Sequence, residues 1–150
     1  MAWDSETPSL SKPLLWLTVT HPGQRRAGNQ AYSGGLLEAL TAVGQPVTLL
    51  TRDSGPSMPL LSVTAVPSPN FRPKILGLLS QYPAGAWQLG HRSIRRALTD
   101  LLHEQRWRAV VIDQAACGWA VTQLASAKLP IIYLALIIII LFYNNLKLFL

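Results

Sequence analysis

The sequence predicts an α/β protein with a Rossmann-like open sheet, mainly parallel, with helices on both faces. Three observations carry this. Short apolar runs, β-rich and 4–8 residues long, alternate with stretches of helical period. The runs are almost continuously hydrophobic, as expected of parallel strands buried on both faces. Glycine, proline and polar clusters separate them. The right-handed crossover rule then arranges such units as an open sheet with helices on both sides.

The elements follow in order. Residues 1–12 read as a disordered lead-in. Pro13 to Thr20 (PLLWLTVT) is the first strand, followed by the polar loop HPGQRRAGNQAYSGG. From Gly35 the period changes: Leu36, Leu37, Leu40 and Val43 form one helical stripe, with Ser33 or Gly34 as the cap and Gly44 as the left-handed stop. Pro46 leads into the second strand, PVTLLT. A Gly/Pro/Ser loop covers Arg52 to Pro59, and a third strand runs from Leu60 to Val66. Pro67, Pro69 and Pro73 break regular structure before a short helix over Ile75 to Tyr82. Gln88 to Gln105 is the clearest helix, with Ile94, Ala97, Leu98, Leu101 and Leu102 on one face and Arg92, Arg95 and Arg96 beside it. RAVVID ending at Asp113 is the fourth strand, Gly118 to Lys128 a helix, and Pro130 to Ala135 the fifth strand.

Composition narrows the function classes. With 150 residues the chain fits one domain. At 49% hydrophobic and 13% charged it is not a disordered chain. The single cysteine, Cys117, excludes an internal disulfide and a multi-cysteine zinc site, and reads as a small buried residue. His21, His91 and His103 are scattered and no HExxH occurs, so no metal site is expected. Thirteen basic against seven acidic residues give +6, which attracts anions. No block of like charge stands out, so no nucleic-acid partner is expected. The N-terminus lacks a basic segment followed by an apolar one, which reads as cytoplasmic.

The C-terminus changes composition abruptly. Isoleucine occurs five times in the first 135 residues and four times in the next five. Residues 136–150 are therefore expected to be an aberrant hydrophobic tail. A disrupted reading frame, a tail that contacts the inner face of a membrane, and ordinary core are the three readings. The apolar run Leu129 to Tyr143 has 15 residues, fewer than the ~20 needed to cross a bilayer.

In an open parallel sheet, ligands bind outside the carboxyl ends of the strands. Gly34 and Gly35, at the expected start of the first helix, offer backbone N–H groups and the positive end of a helix dipole to a phosphate or a sugar hydroxyl. The alternative is a tight helix entry. The pattern is not GxGxxG, and the loop is too long for a dinucleotide turn. Asp53, 18 residues past Gly35, could mimic a ribose-binding acid, but no nicotinamide or other cofactor is expected. GxxxxGK[ST] and GxSxG are absent. His21 is a hydrogen-bond donor or acid–base group, or a loop residue beside Pro22. Asp113 binds a hydroxyl or orients a base, or caps the following helix. Arg25 and Arg26 meet an anionic ligand, or are solvated surface.

Strand, polar loop, Gly34-Gly35, the helix LLEALTAVG and then PVTLLTRD together resemble the opening of the family-four glycosyltransferases. Leu37, Leu40, Gly44, Val47, Leu49 and Thr51 occupy that family's pattern positions. RWRAVVID and LPIIYLA are similar to two later strands, so the resemblance covers about residues 13–135. It implies the GT-B architecture, in which two Rossmann-like domains face each other. The N-terminal domain mainly contacts the acceptor and the C-terminal one grips a nucleotide-sugar. It also implies that Gly34 and Gly35, and more weakly Asp113, face the cleft. Leu136 stands where that family often carries histidine. The expectation is an N-terminal, truncated fragment of a sugar transferase, inactive alone. Its intact parent would use a nucleotide-sugar and a glycan or lipid-linked acceptor. A non-catalytic Rossmann-like module held at a membrane by its tail is the alternative.

Overall fold

A computed structural model describes residues 12–24, 28–67, 89–104 and 106–134. The expected lead-in, apart from Lys12, lies outside them, as do Arg25, Arg26, the helix expected over 75–82 and the expected tail 136–150. Five parallel strands form one sheet in the order β3-β2-β1-β4-β5, with β1 Leu14–Leu17, β2 Val47–Thr51, β3 Leu61–Ala65, β4 Ala109–Asp113 and β5 Ile131–Leu134. This is the Rossmann-like α/β arrangement expected from the sequence. The helices are α1 (Gly28–Ala42), α2 (Arg92–Glu104) and the short α3 (Val121–Leu124), which is flanked by 3-10 turns at Ala115–Ala120 and Ala125–Ala127.

The strand order fixes which face each helix covers. The chain moves one way along the sheet from β1 to β2, and the other way from β4 to β5. Right-handed crossovers therefore place α1 on one face and α2 and α3 on the other. Two core clusters match this. On the α1 face, Leu37 packs with Leu14, Trp16, Val47, Leu49, Ala109 and Val111. On the opposite face, Ile94, Leu98, Leu101 and Leu124 pack with Leu15, Leu17, Leu50, Val110 and Ile112. Alternate residues of β1 and β4 thus serve opposite layers. Each fully buried leucine or isoleucine contributes about 1.5–3 kcal/mol.

The inner strands β1, β2 and β4 are buried along their whole length. The edge strands are not. Only nine residues, 52–60, connect β2 to β3, and they contain no helix to cover β3, whose Val63 is exposed. On β5, Ile131, Ile132 and Tyr133 are all exposed.

Two boundaries differ from expectation. Helix α1 starts at Gly28, seven residues before Gly35. Its buried residues are Gln30, Ser33, Gly34 and Leu37, a stripe at i, i+3, i+4 and i+7 made mostly of polar and small side chains. Ser33 and Gly34 therefore lie inside the helix and cap nothing. Val43, expected on the apolar stripe, follows the last helical residue and is exposed. The stop falls where expected. Gly44 has φ +86°, its N–H donates to Thr41 O, and the Gln45 N–H donates to Leu40 O, which together form a Schellman cap. The helix expected from Gly118 begins as a 3-10 turn at Ala115 and ends on Lys128, which adopts the left-handed conformation.

Candidate functional site

The carboxyl edge of the sheet gathers a polar cluster from the loops after β1, β2 and β4 and from the first half of α1. The β1 and β2 loops stay bonded beyond the strands: the Arg52 N–H donates to Val19 O, and the Thr51 hydroxyl reaches the same carbonyl. This brings Asp53 against His21. One Asp53 oxygen accepts from the His21 backbone N–H at 2.7 Å and from the Thr51 hydroxyl at 3.2 Å, while the other accepts from Gln24 Nε2 at 3.2 Å. Asp53 therefore organises this loop and is not open as a ribose-binding acid.

His21 is fully buried. Its Nδ1 accepts the Gly23 N–H at 3.1 Å. An accepting Nδ1 carries no proton, so the neutral ring carries it on Nε2. That Nε2–H has no partner among the described residues. Burial lowers the imidazole pKa from its ordinary 6.5, and the Asp53 carboxylate partly opposes the shift. The ring is thus held neutral, with one buried donor uncommitted.

Asp113, the last residue of β4, is also buried. It does not cap the helix that follows. Gln114 occupies the cap position with φ 83°, a strained value for a non-glycine residue, and no side chain caps the turn. The Asp113 carboxylate instead faces back over the sheet. It accepts the Trp16 indole N–H at 3.3 Å and interacts with the hydroxyls of Ser33 and Thr18. Burial raises its pKa, and those three donors pull it back down. The Thr18 hydroxyl also lies 3.2 Å from Thr20 O, and it has one proton to share between the two acceptors. The Thr20 hydroxyl accepts from Gln30 of α1. A bonded path therefore runs from Asp113 through Thr18 and Thr20 to the loop holding His21.

Gly34 and Gly35 sit beside this cluster differently from expectation. Both are helix-interior residues, so their N–H groups are used within α1 and offer no phosphate cradle. Gly34 is buried, and Gly35 is exposed with nothing within 4 Å of where a Cβ would stand. Ser33, Thr18 and Gln30 are the site residues that sequence reasoning missed. Their signal is the polar stripe Gln30-Ser33-Gly34-Leu37, legible only once the helix is known to start at Gly28.

Cys117 is buried as expected. Burial pushes its thiol up to about 12, and the Asp113 carboxylate adds to the shift. Among the described residues no group of three His, Cys, Asp or Glu side chains could hold a metal ion, and no helix is long and apolar enough to cross a membrane.

The fold and site define an α/β protein of Rossmann-like arrangement whose carboxyl sheet edge gathers buried hydrogen-bonding groups. In comparisons with known protein families, curated proteins and solved structures, nothing matches this chain.

Proposed function

We propose that this chain is the acceptor-side domain of a glycosyltransferase of GT-B architecture, and that His21 and Asp113 face the sugar hydroxyls. One observation carries the reading. Two buried polar groups meet the carboxyl edge of a 3-2-1-4-5 sheet, one a donor without a partner (His21 Nε2–H) and the other a carboxylate (Asp113). A donor and an acceptor at the same sheet edge suit a hydroxyl, which needs both. Their desolvation makes each bond to a ligand stronger than it would be in water.

The pattern residues of the resemblance support the same reading. Gly44 closes α1 in the left-handed conformation, and Thr51 ends β2 beside Asp53. In this architecture, catalysis rests on positioning donor against acceptor and on stabilising the leaving diphosphate. The chain's part would be to bind and orient the acceptor, with the groups that bind the nucleotide-sugar and stabilise its leaving diphosphate supplied by a second Rossmann-like domain. A glycosyltransfer assay across UDP- and GDP-sugars, run beside calorimetric titration with oligosaccharides, tests this. The expected result is saturable oligosaccharide binding, weakened at least tenfold in Asp113→Asn, with no turnover by the 150-residue chain. Robust turnover by that chain contradicts the acceptor-side assignment.

The apolar run Leu129 to Tyr143 favours a second reading, a module held at a membrane by residues 136–150. Liposome flotation with and without those residues separates the two. Equal flotation of both forms disposes of the tail as an anchor.

A further inference from the structure

The opposite edge of the sheet holds a cavity that the proposed function leaves unused. It is about 490 Å³ and lies between the C-terminal turn of α2 and the turn at Ala125–Ala127. Its lining comes from the residues that enter β1, β4 and β5, which places it at the amino edge, away from His21 and Asp113. Two chemistries meet there. Leu102, Trp107 and Leu129 supply apolar surface, and Lys12 and Arg106 supply an exposed cationic rim with the exposed His103 imidazole beside them.

The frame of this cavity is fixed. The Trp107 indole N–H donates to Leu101 O at 2.9 Å, which locks the ring. Lys12 is tied through its carbonyl to Gln45 Nε2 at 2.9 Å, and the Gln45 side-chain oxygen accepts Arg108 at 2.6 Å. The next backbone link, Arg108 N–H to Pro13 O at 2.9 Å, holds the strands carrying Lys12 and Arg106 together. Among the described residues no carboxylate lines the cavity. A second groove shares Thr99 and Gln123 with it and extends the cationic surface along α2 through Arg92 and Arg96, with Asp100 as its acid.

We propose that this amino-edge cavity binds a soluble amphipathic anion: an alkyl or aryl body seated on Leu102, Trp107 and Leu129, with a phosphate at its end held by Lys12, His103 and Arg106. The volume lies within the roughly 300–1,000 Å³ of small-molecule sites. The apolar floor of Leu102, Trp107 and Leu129 accounts for a hydrophobic body, whose burial there removes apolar surface from water. Two cations on one rim, Lys12 and Arg106, with the His103 imidazole beside them, fit a doubly charged phosphate better than a single carboxylate charge.

The test is calorimetric titration of the full chain with octyl phosphate, octyl glucoside, inorganic phosphate, and phosphatidylcholine vesicles containing phosphatidic acid. Octyl phosphate is expected to bind at one saturable site, at least tenfold tighter than octyl glucoside or inorganic phosphate. Ser126→Trp, at an exposed lining position, fills the cavity and is expected to remove at least tenfold of that affinity. A Lys12→Gln/Arg106→Gln double variant changes only exposed charges, so it keeps the assay open if the tryptophan variant fails to fold; it is expected to weaken binding threefold to tenfold. Equal binding of octyl glucoside, unchanged affinity in a folded Ser126→Trp protein, or binding seen only on vesicles would each overturn the proposal. The last outcome would mark the rim as a bilayer-facing charge patch.

Discussion

Gly55 is the residue on which the geometry of the β1–β2 loop pair turns, and replacing it with alanine is a sharp probe. Its backbone is not in the left-handed region, so the requirement for glycine comes from space alone. A Cβ there would overlap Cγ and Nδ1 of His21 and stand 2.6 Å from Cδ2, where carbon atoms prefer about 3.5–4.0 Å. His21 has nowhere to move. It is fully buried, its ring accepts from Gly23, and its backbone is bonded to Asp53. The loop carrying Gly55 must lift instead, which strains the Asp53 bonds and the Gln24 Nε2 bond to Ser54 O. Overpacking of this kind costs about 1–3 kcal/mol, offset by about 0.4–1 kcal/mol from the stiffer unfolded chain. Because the His21 ring cannot yield, the upper part of the net range applies, roughly 1–2.6 kcal/mol, or about 2–10 °C in Tm at about 2–4 °C per kcal/mol for a chain of this size. Urea and thermal unfolding read this directly. Gly35→Ala is the control, because its site is open and helical, and it should gain about 0.5–1 kcal/mol. Adding His21→Ala should recover part of the Gly55→Ala loss, with a coupling energy above about 0.5 kcal/mol. Full stability in Gly55→Ala, or strict additivity with His21→Ala, would refute the packing argument.

Further expectations follow from the buried polar groups. His21 has a lowered folded pKa, so the stability tied to its neutral ring is complete above 6.5 and drains as pH falls through the folded value. His21→Gln should flatten the urea midpoint in that range, and an unchanged acid slope would contradict it. Asp113 has the opposite sign: its raised folded pKa means stability is lost as pH rises from 3.8 through the folded value, so Asp113→Asn should make the profile flatter there. Cys117, buried with its thiol pushed up to about 12, should resist thiol-labelling reagents in the native protein and react at the rate of unfolding. Fast native labelling would contradict that burial. Gln45→Ala removes the acceptor of Arg108 and the donor to Lys12 O and Pro46 O, and should destabilise the chain by about 1–3 kcal/mol in urea unfolding.

The strands were legible because their apolar runs are short, β-rich and set off by turn residues. All five strands lie within a few residues of the apolar runs, and the alternation of β1 and β4 between two core layers follows from the same pattern. Helix α2 was legible because Ile94, Leu98 and Leu101 keep a clean helical period against arginines. The first half of α1 was not, and the reason is physical. Gly28–Gly35 (GNQAYSGG) contains weak helix formers and almost no apolar residues. Its buried side faces the polar strand ends, so tertiary hydrogen bonds from Gln30 and Ser33 replace the hydrophobic stripe that a sequence reading seeks. The placement of the candidate site residues was half legible for the same reason. His21 and Asp113 follow from their places at strand ends, whereas Thr18, Gln30 and Ser33 depend on where α1 begins. Reading Gly34-Gly35 as a helix entry failed with the helix boundary that it assumed.

A saccharide-binding carboxyl edge is the proposal on which the functional reading rests. The most direct measurement is a resonance-assigned NMR titration of the chain with a series of oligosaccharides. Saturable shifts concentrated at His21, Gly23, Asp53 and Asp113, lost in Asp113→Asn, are the expected result. Oligosaccharides that leave those four resonances unmoved, or that shift Lys12 and Arg106 at the far edge, would contradict it.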